Sequence, residues 1–418
     1  MLAGLAVAAV AALFPAGAAA APAGCGVLNG LGTFSTNNQP GDCWRPYEDA
    51  SPFNRPVPSG APAAPDSAGR ISALLAAGHV SQLVFGGDPQ RDGGVPIYWS
   101  APSDPVYTLH CTKHWGSCPL EGLQIHMPAG AQPTGGVATA QFDHDAHLTV
   151  IDQQSGWEYD MWNVWSITAS TINFSWGGKT RIDGNGLGSA AVAAGFGSVA
   201  GPIRPEELIG GQIDHALSMV VPCTDSQVYP ADGTGISCDD AGLPSSLSIP
   251  MGSHLQLRMS RAAINRLDAP TWKKTILRAL ATYGAYVSDT SGVADQWGFE
   301  TESGWAFTSL GKADPWVQWA RSLGVQPADF NHNGYSEYWF DLAAGVPWQR
   351  LRIVSQCAAD GSCPAASKDN APKLRAARRC RRGLMRWRRR ADSGAGIARK
   401  RARWSRHCAR LASRARQA

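Results

Sequence analysis

Two stretches gather carboxylates, imidazoles and an indole within a few positions of one another. The first, Phe142-Asp-His-Asp-Ala-His, places Asp143, Asp145 and His147 at alternate positions. On a strand these three share a side, and imidazole with carboxylate at that spacing suits a divalent cation such as zinc or manganese. The second is the pair of runs His147–Asp152 and Trp157–Trp162, joined through Gln153-Gln-Ser-Gly. With Asp152 opposite Trp157, one face holds His147, Thr149, Glu158, Asp160 and Trp162, with Ile151 as the apolar exception. Leu148, Val150, Trp157, Tyr159 and Met161 then form an apolar face, and a slip of one residue would mix the two. The polar face carries the groups with which a sugar cleft binds and cleaves.

Two further alternating runs add to this set. In Gln212–Val221, Gln212, Asp214, Ala216 and Ser218 lie opposite Ile213, His215, Leu217, Met219 and Val221. Here His215 is expected as a hydrogen-bonded core histidine or, with Asp214, as a catalytic residue. In Ser253–Ser260, His254, Gln256 and Arg258 oppose Leu255, Leu257 and Met259. If these strands line one concave sheet, His147, Glu158, Asp160, Asp214, His254, Gln256 and Arg258 converge. Glycoside hydrolysis would draw its acid and its nucleophile or base from Glu158 or Asp160 with Asp214. A polysaccharide lyase would neutralise a uronate with Arg258 and Gln256 and take a proton with His147 or His254. A solvated polar sheet face without chemistry accounts for the same alternation. Asp329-Phe-Asn-His-Asn-Gly resembles the start of a calcium loop, but Phe340 stands where the bidentate Glu belongs, which leaves an Asn-Gly turn. No cofactor beyond the metal reading is expected.

The elements that must hold these residues read as short strands between Gly, Pro and Asp punctuation. Strands are expected at Val95–Ser100, the runs above, Tyr286–Asp289, Glu337–Leu342 and Trp348–Val354. Helices are expected at Ala68–Ala77, Pro270–Tyr283 (capped by Asp268 and stopped by Gly284) and Pro315–Leu323. Gly177–Gly201 reads as a long loop. The pattern gives a mainly β class, an antiparallel β-sandwich or jelly roll with two or three peripheral helices, over residues 71–364. Residues 22–70, rich in Pro, Gly, Ser and Asn, form an irregular leader.

Met1–Ala21 is an apolar, Ala-rich run ending in small residues, which is expected to be a signal peptide although no basic segment precedes its apolar stretch. A lipoprotein reading at Cys25 lacks the usual Leu before it. The ten cysteines fall into close pairs: Cys25/Cys43, Cys111/Cys118, Cys223/Cys238, Cys357/Cys363 and Cys380/Cys408. With an export signal and no C-x-x-C spacing, they are expected as local disulfides rather than metal ligands. Lys368–Ala418 holds nineteen basic and two acidic residues, a net +17, so the total of +4 leaves −13 on the rest. Such an end is expected to retain the protein on an anionic envelope polymer or lipid headgroups, as an αα-hairpin bridged by Cys380–Cys408 or as a disordered tail. Export makes nucleic acid a poorer partner than polysaccharide. No transmembrane run, P-loop, dinucleotide fingerprint, G-x-S-x-G or H-E-x-x-H motif occurs.

Gly211-Gln-Ile-Asp-His-Ala-Leu, Pro250-Met-Gly-Ser-His-Leu-Gln-Leu and Ala281-Thr-Tyr-Gly-Ala-Tyr-Val-Ser-Asp, following the hairpin sequence, resemble a family of secreted, β-rich bacterial proteins. That family has the order G-x-I-x-H-A-L, P-M-G, Y-G-x-x-V-x-D. The resemblance spans roughly 51–330, implies one continuous domain and gives weight to His215 and Asp289, but carries no catalytic role. Asp289 joins Trp162, His254, Gln256 and Arg258 as an expected substrate-binding residue. The expected function is a secreted glycoside hydrolase or polysaccharide lyase acting on envelope or extracellular polysaccharide. The alternative is a non-catalytic glycan-binding surface protein.

Overall fold

The fold is that of a computed structural model, in which residues 31–87, 94–113, 116–140, 144–330, 332 and 334–359 are described. The expected signal peptide, Asp143, Cys25, Cys363 and the basic end with Cys380 and Cys408 lie outside these residues.

Thirteen short strands form three sheets among the described residues. They are β1 (Leu83–Phe85), β2 (Ile97–Ser100), β3 (Val106–Cys111), β4 (Gln124–His126), β5 (Leu148–Asp152), β6 (Trp157–Ile167) and β7 (Thr171–Arg181). After these come β8 (Leu217–Val221), β9 (His254–Leu257), β10 (Ala285–Thr290), β11 (Gly298–Phe299), β12 (Tyr338–Phe340) and β13 (Leu351–Ile353). One sheet has the order β2-β5-β6-β7-β3-β4, a second β11-β8-β10-β9-β13, and β1 pairs with β12. The helices are α1 (Ser67–Ala77), α2 (Pro205–Gly210), α3 (Arg261–Asn265), α4 (Thr271–Thr282), α5 (Trp305–Thr308), α6 (Pro315–Ser322) and α7 (Gln356–Ala359).

The mainly β class holds, but the sheets are mixed rather than antiparallel. Strands β2 and β5, β3 and β7, and β8 and β10 pair in parallel. Parallel neighbours need long crossovers, and periodicity within one strand carries no information about them. The β5–β6 register is the expected one, with Asp152 opposite Trp157 and Thr149 opposite Asp160. Its apolar face (Leu148, Val150, Tyr159, Met161) packs with Leu109, Ile125, Phe174 and Phe307 in one core. The other face turns toward a larger core, where Ile97, Trp99 and Ile151 meet Leu217, Met219, Leu255 and Tyr286.

The expected leader enters that larger core. Trp44, Tyr47 and Phe53 are wholly buried there, and Trp44 meets Trp99 edge to face at 5.4 Å. Helix α4 begins at Pro270 as N-cap rather than at Asp268, because Pro suits the extended cap and first-turn positions. It stops at Gly284, whose φ of +79° lets the chain turn sharply into β10. Asp314 caps α6 by accepting from the amides of Trp316 and Val317. The Cys111–Cys118 and Cys223–Cys238 disulfides form as expected. Gly177–Arg181 continues β7 instead of opening a loop, and the strand expected from Gln212 starts only at Leu217.

Candidate functional site

Charge effects link four side chains near the start of β5: Asp145 acts on Asp289 and Glu300, and His147 acts on Glu300. Asp145 and His147 precede β5, Asp289 lies near the end of β10, and Glu300 follows β11. Asp145 is exposed, and the other three are half-buried. Backbone amides hold Asp289: Thr290 donates to Oδ1 at 2.7 Å and Ala193 to Oδ2 at 3.4 Å. Glu300 Oε2 accepts from the hydroxyls of Ser218 and Ser288, which themselves lie 2.6 Å apart. Burial first, and then the charge of Glu300, push the Asp289 carboxyl up to about 7. Burial also raises Glu300, against the bond from Ser218 and the influence of His147. Asp145 bears on both carboxyls.

The backbone beneath Asp145 and His147 is under strain. Ala146, between them, has φ +37°, and Asn163 on the facing strand has φ +54°. Each costs on the order of 1–3 kcal/mol, and surrounding bonds must enforce it. Asn163 donates its amide to Asp145 O at 2.6 Å and its Nδ2 to His144 O at 2.8 Å. His144 Nε2 in turn lies 3.0 Å from Thr134 O. The Trp162 indole donates to Asp145 Oδ1 at 2.9 Å, so it orients that carboxylate. His147 Nδ1 is buried without a hydrogen-bond partner.

Glu158 and Asp160 do not line this opening. Both are wholly buried, because the polar face of β6 is covered by the 186–201 loop and by Tyr47. Tyr47 Oη donates to Glu158 Oε2 at 2.8 Å, and the Val199 amide donates to Oε1 at 3.0 Å. Asp160 accepts from Thr149 Oγ1 at 2.8 Å, Ser189 Oγ at 2.7 Å and the Ser198 amide at 3.3 Å. Burial, and then Asp160, drive Glu158 well above the ordinary carboxylate range. Gly197 lies so close that a Cβ there would strike the Tyr47 hydroxyl and the Glu158 carboxyl. The pair is an internal strut between leader, sheet and loop.

The remaining expected residues lie apart, so no single concave sheet gathers them. His215 is buried: Nδ1 faces Ala216 O at 2.9 Å and Nε2 faces Glu207 Oε1 at 2.7 Å. Glu207 also accepts from Arg204 Nη2 at 3.0 Å, and Arg204 lies 4.9 Å from the Trp44 ring and donates to Trp44 O at 2.6 Å. Burial would raise Glu207, but Arg204 and His215 outweigh it and hold it low. Asp214, half-buried on an irregular stretch, accepts from Gln212 Nε2. His254 donates to Tyr283 O at 2.7 Å and stacks on Tyr286 at 4.2 Å, and burial lowers it to about 4. Gln256 donates to Ala281 O at 2.9 Å, and Arg258, just past the end of β9, is exposed.

Of the expected residues, Trp162 is hydrogen-bonded to Asp145, and charge effects link Asp145 to Asp289 and both Asp145 and His147 to Glu300, a residue not expected from the sequence. The alternation in Gly298-Phe-Glu-Thr-Glu was the available signal for Glu300 and for the buried Glu302. Among the described residues no group of three or more His, Cys, Asp or Glu is arranged to hold a metal ion. No protein-family model, curated protein or solved structure matches the chain.

Proposed function

We propose that the chain is an exported carbohydrate-active hydrolase that cleaves an envelope or extracellular polysaccharide at Asp145, His147, Asp289 and Glu300. The observation that supports this reading is the Asp289 carboxyl, half-buried at a strand end, held by two backbone amides and raised by burial and by Glu300, with Asp145 also acting on it. Asp289, kept protonated by burial and by Glu300, serves as general acid to the leaving glycosidic oxygen. Asp145, exposed and oriented by the indole, serves as base or nucleophile from the open side. His147 acts on the site through Glu300, whose carboxyl it draws down. Glu300, tied to Ser218 and Ser288, sustains the proton on Asp289.

Hydrolysis is preferred over elimination because the charges bearing most strongly on Asp289 are carboxylates. A lyase needs a cation at the uronate carboxylate, whereas an anionic site favours an uncharged sugar at the point of cleavage. The sandwich reading belongs to the same proposal: residues of both large sheets share one core, as two stacked sheets would.

Glycan binding without cleavage is the second reading, supported by Trp165, 44% exposed on the same strand as Trp162. Asp289→Asn decides between them on a polysaccharide panel. The expected result is reducing-end release reduced at least ~100-fold with binding retained. If wild type binds but releases no reducing ends from any member, the hydrolase reading fails. An unsaturated, ultraviolet-absorbing product would replace it with a lyase.

A further inference from the structure

A groove of about 640 Å3 runs between one face of α1 and the β9–β13 edge. Its walls include Pro65, Ile71 and Leu75, and it carries Arg258, Arg350 and Arg352. The arginines are held side by side by the sheet: Arg258 donates its amide to Arg350 O at 3.0 Å, and Arg352 pairs with Gln256. Arg352 is anchored by neutral acceptors only. Its Nε and Nη2 donate to Gln256 Oε1 at 3.1 and 2.6 Å, and Nη1 donates to Ala61 O at 2.5 Å. Arg258 and Arg350 are exposed, with no side-chain hydrogen bond or ion pair among the described residues. Asp66, next to the groove, is engaged by Arg70. The cations are crowded: burial, and then Arg258, hold the Arg352 guanidinium below its usual range. Three unneutralised guanidinium groups thus stand together on a body that otherwise carries a net negative charge.

We propose that this groove binds a uronate-bearing segment of a polysaccharide, with sugar rings on the apolar wall and carboxylates on Arg258 and Arg350. The planar guanidinium fork matches a carboxylate in two parallel hydrogen bonds, and the neutral Gln256 anchor leaves Arg352 its positive charge. The volume lies within the ~300–1,000 Å3 of clefts for small ligands, which suits a few sugar units. A nucleic acid or an anionic bilayer presents dense charge over a wide surface, which the acidic body would repel. The groove shares no residue with the Asp289 cluster. The sugar identity rests on the proposed function, whereas anion binding rests on the groove alone. The substrate class that follows is a partly acidic polysaccharide, gripped at uronates here and cut at an uncharged unit elsewhere.

The test uses the full chain, with trigalacturonate as probe and a neutral trisaccharide as control. Hydrogen exchange is followed over residues 63–75 and 349–352, so that binding to the basic end is not mistaken for the groove. Trigalacturonate is expected to slow exchange in both segments and the neutral sugar to leave them unchanged. The exposed double variant Arg258→Gln/Arg350→Gln should weaken this binding at least tenfold, while Asp289→Asn leaves it intact. Equal binding of the neutral sugar, or an unchanged affinity in the double variant, overturns the proposal. Protection by phosphatidylglycerol vesicles but not by trigalacturonate overturns the glycan assignment. Protection without cleavage of any polysaccharide leaves the groove standing and removes the hydrolase reading.

Discussion

Asp289 and Glu158 are both carboxyl groups raised by burial, yet one is the proposed general acid on a half-buried strand end and the other part of an internal strut. For Asp289 the expectation is kinetic. A general acid must hold its proton, so kcat/KM should fall as pH rises through about 7, and Asp289→Asn should abolish that limb. For Glu158 the expectation is thermodynamic. Its folded form keeps a proton that the unfolded chain releases above the usual carboxylate range, so stability should decline as pH rises from there. The slope is at most one proton, ~1.4 kcal/mol per pH unit. Glu158→Gln should flatten it, as measured by urea unfolding at successive pH values. His254 has the opposite sign. It is lowered to about 4 from 6.5, so the unfolded chain takes up the proton first, and stability is lost as pH falls across that window. The loss amounts to about 3 kcal/mol at most, and His254→Gln should remove it.

At the scale of elements, short strands are held together by contacts that sequence neighbours do not supply. Helix α2 is docked by Arg204, Glu207 and His215 beneath the Trp44 ring of the leader. Glu207→Gln would leave buried Arg204 with only the Glu206 carboxylate at 4.0 Å and should cost roughly 3 kcal/mol, measured by chemical denaturation. The Cys223–Cys238 bridge closes the loop after β8 with a sequence separation of 15. Its replacement by two alanines should cost about 3 kcal/mol through the freed unfolded chain. The β5–β6 register could be read from alternation because a slip would mix its faces. Which face meets solvent could not. Glu158 and Asp160 are covered by Tyr47, Ser189 and Ser198, none of them near in sequence. Alternation alone extends β8 back to Gln212, because Ile213 and His215 are buried as strand residues would be, on an irregular backbone.

The whole molecule divides its charge unevenly, −13 before Lys368 and +17 after it. Truncation at Ser367 should release the protein from cells at low salt without changing any activity of the body. Retention of the truncated chain would show that the body, through its arginine groove or another surface, does the anchoring.

Periodicity, cysteine spacing and charge were enough for the mainly β class, the β5–β6 register, two of the disulfides and the acidic body. These properties depend on local order along the chain, where the side-chain period and the loop length act directly. The tertiary structure alone decided which polar residues share a site. It buried Glu158, Asp160 and His215, and separated Arg258 from Asp289. It also set Asp145 and His147 within electrostatic reach of Glu300, more than 150 positions away. Convergence of that kind depends on parallel crossovers and on which loop covers which face. A single strand's alternation is the same whether its polar side meets water or another segment of the chain.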